Sequence, residues 1–133
     1  VLNRYGRGNV IYAAGVLESM DHHSQREVLA RMLQSLCARP LWFETDAPKC
    51  VEVTLFDQPE RGRCLVHLLS IQEPMPGVPV HGTTVRLNLQ GRTPGKLALL
   101  SSGEALTYDI EPPWLVFTVA VLRDYELVCL EYE

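Results

Sequence analysis

The stretch "VEVTLFDQPERGRCLVHLLSI", residues 51–71, decides the predicted fold. At its start, Val51, Val53 and Leu55 alternate with Glu52, Thr54 and Phe56. This period of two is typical of a strand with one buried face. "QPERGR", residues 58–63, carries a proline and a glycine and predicts a turn, and the apolar run Cys64–Ile71 predicts a second strand. The stretch therefore predicts an antiparallel hairpin.

The chain beyond this hairpin repeats the same signals. "TTVRLNLQG", residues 83–91, alternates with Val85, Leu87 and Leu89 facing inward and Arg86, Asn88 and Gln90 facing outward. The proline-rich segment 72–82 predicts a loop, and "RTPG", residues 92–95, predicts a turn.

The last third of the chain predicts four more strands. Two short strands flank a turn at Ser101–Gly103, and two long strands, joined at residues 123–125 as a last hairpin, follow Pro112-Pro113. Seven or so short strands separated by turns predict an antiparallel β-sandwich over residues 43–133.

The N-terminal segment follows a different pattern. The apolar run Val10–Tyr12, which follows two glycines, predicts a short buried strand. An apolar stripe at helical period then predicts an amphipathic helix over residues 24–37, formed by Val28, Leu29, Met32, Leu33, Leu36 and Cys37. Ser24 and Glu27 fit a capping box at its start, and Pro40 marks its end. Asp21 and Arg39 suit the two ends of the helix dipole.

Composition restricts the classes of function. The chain has 133 residues, 47% of them hydrophobic, and a net charge of -4 without a block of Lys or Arg, so nucleic acid is not an expected partner. No apolar run approaches the ~20 residues that span a bilayer, so no membrane partner is expected. The chain begins at Val1 without a targeting signal, so we expect a fragment of a larger cytoplasmic protein.

The four cysteines are Cys37, Cys50, Cys64 and Cys129. Their spacing contains no CxxC, so no zinc site is predicted. Cys64 and Cys129 lie inside apolar runs and are interpreted as small buried side chains. A disulfide between two of the four remains an alternative.

Catalytic signatures are weak throughout. His22 and His23 are adjacent, so on a helix they point about 100° apart and chelate one ion poorly. Carboxylates that a glycosidase could use are scattered near turns: Asp46, Asp57, Glu60, Asp109 and Glu111. Ser101 lies outside any G-x-S-x-G elbow, so a serine hydrolase is not indicated. "GRGN", residues 6–9, lacks the lysine of a phosphate-binding loop. The lone His67 in an apolar strand is interpreted as a hydrogen-bonded structural residue. We therefore predict no catalytic, cofactor-binding or metal-binding residue.

Aromatic residues suggest one binding function. Five of them could stack on a sugar: Trp42, Tyr108, Trp114, Tyr125 and Tyr132. The alternative is that they anchor a core or a domain interface, because aromatic rings bury large areas. A carbohydrate-binding module predicts that at least two of Trp42, Tyr108, Trp114 and Tyr125 are exposed and coplanar on one face.

The order of these segments resembles the C-terminal region of large bacterial glycoside-hydrolase-like proteins. In that group a β-galactosidase trimerisation domain of amidotransferase-like fold precedes a β-sandwich. The first domain's last strand and helix are similar to Gly6, Gly8, Val10–Tyr12 and Ser24–Cys37. The following run is similar at Ala47, Pro48, Val51, Val53, Leu55, Gln58, Leu65, Val66, His67 and Leu68, and the last hairpin at Tyr125 and Glu126.

The resemblance implies an architecture and a role. Residues 1–42 would be a strand-helix remnant of a preceding α/β domain, and residues 43–133 a C-terminal β-sandwich domain. The chain would be a non-catalytic accessory region of a glycoside hydrolase, because that group's catalytic carboxylates lie in a barrel outside these residues. Its expected partners are the remaining domains of the parent polypeptide, or further subunits of a homo-oligomer.

Overall fold

The computed structural model describes residues 1–15, 22–37, 40–73 and 77–133. The chain divides into two compact units, Val1–Leu41 and Trp42–Glu133. The origin of the first unit as a remnant of an α/β domain stays a prediction. No helix in the described ranges is long and apolar enough to cross a bilayer.

The first unit contains a two-stranded antiparallel ribbon, β1 (Leu2–Tyr5) and β2 (Gly8–Ile11). The turn between them uses Gly6 at a φ of 58°, which a glycine adopts without strain. The prediction of a buried strand over Val10–Tyr12 is wrong, because Val10 and Tyr12 are both exposed. Of the three residues in this run, only Ile11 is half-buried, because a two-stranded ribbon leaves much of its surface open to water.

Helix α1 spans His23–Leu36. Within this unit Leu29, Met32 and Leu36 are half-buried and line one shallow depression together with Ile11 and Ala13. Leu33 also lines it but is exposed, as is Val28. The predicted apolar stripe therefore exists, and half of it is uncovered.

The predicted capping box at the start of α1 is wrong. The N-cap is His22, two residues before the predicted Ser24, and its side chain makes no capping hydrogen bond. Ser24 consequently lies inside the first turn, where its hydroxyl cannot play the N-cap role. The predicted dipole contacts of Asp21 and Arg39 lie outside the described residues.

The second unit is built from two four-stranded antiparallel sheets. The first sheet has the order β4-β5-β10-β7, and the second sheet has the order β3-β6-β9-β8. The strands are β3 (Phe43–Thr45), β4 (Val51–Gln58), β5 (Arg63–Ser70), β6 (Val80–Asn88), β7 (Pro94–Leu99), β8 (Tyr108–Glu111), β9 (Trp114–Leu122) and β10 (Tyr125–Tyr132). The predicted mainly-β antiparallel sandwich with one appended helix is confirmed.

The hairpin of β4 and β5 forms as the sequence predicts. Val51 pairs with Ser70 and Gln58 with Arg63, and a short 3-10 turn, Pro59–Arg61, connects the strands. Gly62 ends this turn at a φ of 56°, which explains why glycine stands there.

Three predicted connections differ from the structure. Pro94 and Gly95, predicted as a turn, open β7, and β6 begins at Val80, inside the predicted loop 72–82, of which residues 74–76 lie outside the described ranges. The predicted last hairpin is also wrong: β9 pairs with β6 and β8, whereas β10 pairs with β5 and β7. Both edges of each of these two strands are thus hydrogen-bonded to other strands, so β9 and β10 do not pair and lie in different sheets.

The core lies between the two sheets. Alternate residues of the strands supply it, including Val66, Leu68, Val128 and Leu130 of the first sheet and Val85, Leu87, Leu115 and Phe117 of the second. The predicted inward direction of Val85 and Leu87 is confirmed, since both are buried. The remaining faces of the two sheets point outward, and they differ in chemistry.

Candidate functional site

The two adjacent histidines lie at the start of α1, with His22 as N-cap and His23 as the first helical residue, and both are exposed. Within the described ranges, no group of three or more His, Cys, Asp or Glu side chains is arranged to hold a metal ion.

Three of the five candidate carboxylates make structural contacts. Asp46 Oδ1 accepts a hydrogen bond from the Thr84 amide at 2.7 Å, and Glu111 lies 3.4 Å from Arg86. Asp57 is held by Arg92. Glu60, in the turn after β4, and Asp109, on β8, are exposed. The contacts observed for these side chains therefore stabilise turns and strands.

The serine and histidine candidates are also placed structurally. Ser101 Oγ donates to both Glu126 carboxylate oxygens at 2.8 Å, in the turn that the Gly103 amide closes onto the Leu99 carbonyl. His67 lies on β5, and its Nδ1 is 2.7 Å from the Tyr125 hydroxyl oxygen. The prediction of a hydrogen-bonded structural histidine is confirmed, and the structure supplies the partner that the sequence could not.

Three side chains that the sequence analysis did not place together are hydrogen-bonded at one end of the sandwich. Arg92 donates to both Asp57 oxygens, with Nη1–Oδ1 at 2.9 Å and Nη2–Oδ2 at 2.7 Å. The Tyr132 hydroxyl donates to Asp57 Oδ1 at 2.5 Å, and the Arg92 guanidinium lies 4.3 Å from the centre of the Tyr132 ring. We call these three residues the clamp.

The clamp has perturbed proton affinities. Burial alone would raise the pKa of Asp57, but hydrogen bonds from Arg92 and Tyr132 and the Arg92 charge outweigh it and lower that pKa below its usual value. Burial and the bond to the Asp57 carboxylate raise the pKa of Tyr132 to about 12. The clamp thus holds a charged Asp–Arg pair with a neutral tyrosine.

A cavity of about 20 Å³ adjoins the clamp and is also lined by Trp42, Cys64 and Leu130. This volume suits a single water molecule, whereas small-molecule sites are roughly 300–1,000 Å³. Perturbed groups beside a cavity are a reason to consider catalysis, but this cavity cannot admit a sugar ring. The clamp is therefore a structural feature of the sandwich end.

The cysteines are free thiols, so the disulfide alternative is wrong. Cys64 and Cys129 lie on adjacent strands and are both buried, as predicted. Cys64 points into the core and Cys129 to the outer side of the first sheet, since Cys64 is paired with Leu130 and Cys129 with Leu65. Burial and the nearby Asp57 charge raise the pKa of the Cys64 thiol to about 11.

The four aromatic side chains proposed as a sugar platform do not share one face. Tyr125 lies on the outer side of the first sheet, whereas Tyr108 packs against the core and donates to the Gly95 carbonyl at 3.0 Å. Trp42 and Trp114 belong to one end of the second sheet, and each has a guanidinium within 6 Å of its ring centre, from Arg92 and Arg86 respectively. Trp42 is 40% exposed and Tyr125 is 47% exposed, so each of these two rings could stack on a sugar by itself.

The outer face of the first sheet carries an apolar surface. The register places Phe56, Leu65, Cys129 and Ala98 in one row across the four strands. Next to it lies a row of Thr54, His67 and Leu127, and then one of Glu52, Leu69 and Tyr125. Phe56 is 58% exposed and its ring packs edge-on against His67, with ring centres 5.1 Å apart. This side is therefore more apolar than a solvated strand face.

The outer face of the second sheet is polar by comparison. Arg86 on β6 lies between Glu44 on β3, at 3.8 Å, and Glu111 on β8, at 3.4 Å. Thr84, Asn88 and Thr118 occupy further outward positions. Such a face is stable in water without a partner. The sandwich thus has one solvated side and one side suited to contact, and the latter is its candidate interaction site.

Comparison with known proteins shows what the fold resembles. The chain is similar to a segment of the solved structure of alpha-L-fucosidase isoenzyme 2 from Paenibacillus thiaminolyticus, with a TM-score of 0.71 and 21% sequence identity. The match covers 82% of this chain and 18% of that chain, so it spans less than a fifth of the fucosidase. At this identity the likeness establishes a shared fold. No family model and no curated protein matches the sequence.

Proposed function

We propose that the chain is a non-catalytic accessory domain of a glycoside hydrolase, which packs through the outer face of the first sheet against other domains or other subunits of that enzyme. The observation that carries the proposal is the contrast between this apolar face, with Phe56, Leu69 and Tyr125 exposed, and the charged outer face of the second sheet. An apolar strand face gains free energy when it is covered, at roughly 25 cal/mol per Å².

Two further observations support the proposal. The similar segment of known structure is a small portion of a protein named as a fucosidase, so this fold occurs within a glycoside hydrolase of several times its length. The candidate carboxylates Asp46, Asp57 and Glu111 are engaged in contacts that hold strands and turns together. An accessory role explains both.

The decisive experiment is expression of the whole reading frame that contains the chain, with and without the double substitution Phe56→Ser and Leu69→Ser. We expect a larger polypeptide with glycosidase activity, in which the substitutions loosen the sandwich and make it sensitive to limited proteolysis. Thr118→Ser, on the outer face of the second sheet, is the matched control and should change nothing. A reading frame without a further domain, or equal proteolysis of all three proteins, would contradict the proposal.

Carbohydrate binding is the second candidate, and the exposed rings of Tyr125 and Trp42 favour it. Calorimetric titration of the 133-residue chain with fucose- and galactose-containing oligosaccharides tests it. A carbohydrate-binding module should release heat that Tyr125→Ala or Trp42→Ala abolishes. Absence of binding to every oligosaccharide, or binding that survives both substitutions, would leave the accessory role alone.

A further inference from the structure

One end of the apolar face carries a pair of opposite charges. Arg63 on β5 and Glu131 on β10 are directly paired in the register and point to the same outer side. Arg63 Nε donates to Gln58 Oε1 at 2.7 Å, whereas Glu131 is exposed and belongs to no ion pair of the described residues. The face therefore presents a positive group on one central strand and a negative group on the other.

We propose that a second copy of this chain covers the outer face of the first sheet, related by a two-fold axis that runs parallel to the strands between β5 and β10. The inference rests on the proposed function, which makes this face a contact surface. It adds that the molecule bound to the face is a second copy of the same chain.

The charges are self-complementary about this axis. A rotation of 180° about a line between β5 and β10 exchanges these two strands and keeps every row at the same height. Arg63 then lies over Glu131 of the partner subunit, and the reverse contact follows by symmetry. Two intersubunit ion pairs form, and no like charges of this row meet.

The apolar row fits the same axis by size. The rotation also exchanges the edge strands β4 and β7, so Phe56, which projects from the face, lies over Ala98 of the partner subunit. Ala98 has a small side chain and lies beside Cys129 in this row, and both residues are buried. His67 correspondingly lies over Leu127 of the partner subunit. In the first of these pairs a large side chain meets a small one, which is the complementarity that close packing of two sheets requires.

The size of the face predicts a weak dimer. Four strands spaced by ~4.8 Å and about eight residues long at ~3.3 Å per residue form a rectangle of roughly 500 Å². The two copies together bury about 1,000 Å², which is near the lower limit for a specific interface. Association in the micromolar range is therefore expected.

Sedimentation equilibrium of the 133-residue chain from about 1 to 500 µM tests the inference. We expect a monomer–dimer equilibrium that Arg63→Glu and Glu131→Arg each weaken at least about tenfold. The double variant Arg63→Glu with Glu131→Arg should restore association to within about threefold, because the two reversed charges meet again across the axis. Asp109→Lys reverses an exposed charge on the second sheet and should have no effect. Circular dichroism of each variant confirms that it folds.

Three outcomes would overturn the inference: a monomer at every concentration, a dimer that the single substitutions leave unchanged, or a double variant that stays as weak as the singles. Different results would reject the proposed function. A dimeric chain in a reading frame without a catalytic domain rejects the accessory role and keeps the dimer, whereas a monomeric chain inside a larger glycosidase rejects the dimer and keeps the accessory role.

Discussion

Asp57 and Arg92 form a bidentate ion pair that connects the edge strand β4 of the first sheet to the segment between β6 and β7, which links the two sheets. The two bonds are 2.9 and 2.7 Å long, and the side chains are only 20% and 27% exposed. Bidentate geometry and partial burial make such a pair stronger than the usual surface ion pair.

Breaking the clamp should therefore lower stability. We expect Asp57→Asn to reduce the free energy of unfolding by about 2 kcal/mol, because it leaves the Arg92 guanidinium partly buried without a counter-charge. Urea denaturation followed by circular dichroism measures this loss. Glu60→Gln, in the exposed turn three residues on, is the control and should change the free energy of unfolding by less than about 0.5 kcal/mol. Equal effects of the two substitutions would show that the clamp does not stabilise the sandwich.

The contribution of Asp57 should depend on pH. Its pKa is lower in the folded chain than the value of about 3.9 in the unfolded chain, so the stabilisation is fully present above pH 4 and is lost as pH falls through the folded pKa. The difference in stability between the wild type and Asp57→Asn should accordingly be constant from pH 7 to 5 and shrink below pH 4. Denaturation at several pH values measures it, and a difference unchanged at pH 2 would contradict the assignment.

Two glycines with similar backbone angles should differ in their tolerance of a side chain. Gly62 has a φ of 56° and a Cβ there would lie 3.0 Å from the Tyr132 carbonyl oxygen, whereas Gly103 has a φ of 74° and open space around it. Gly103→Ala should cost about 1 kcal/mol for the left-handed conformation, and Gly62→Ala about 3 kcal/mol because a steric clash is added. Thermal and urea denaturation of both variants measure these costs. Similar losses would mean that the end of β10 moves freely to relieve the clash.

The thiols should react with an aromatic disulfide reagent at widely different rates. Cys37 is exposed, whereas Cys64 is buried and its pKa is raised from 9.0 to about 11, so at pH 8 its thiolate fraction is about 100-fold smaller than that of an unperturbed thiol. We expect one fast phase that Cys37→Ser removes, and four thiols accessible after addition of denaturant. A fast phase that persists in Cys37→Ser would place another reactive thiol at the surface.

Only some of the candidate site could have been predicted from the sequence. The aromatic and histidine side chains of the apolar face were visible, but "CLVHLLS" does not show that Tyr125 lies beside His67. The clamp was missed because Arg92 and Tyr132 lie 35 and 75 residues after Asp57 in the chain. Arg92 also lies in a segment that was predicted only as a turn. An arginine directly after a glycine, Gly91-Arg92, was a weak signal of a special position, but no neighbouring residue identifies Asp57 as its partner.

The sequence by itself determined which side chains face inward in the two alternating segments, 51–56 and 83–90, and where several turns occur. Alternation in segments such as 83–89 is a local property of the pleated backbone. Gly62 is needed because the turn requires a positive φ at that residue, which is also a local property. Only the tertiary structure decided that β9 and β10 enter different sheets, that Asp57 meets Arg92, and that the first sheet keeps an apolar outer face. The physical reason is that strand pairing and burial depend on contacts between residues far apart in the chain, whose free energies no local pattern encodes.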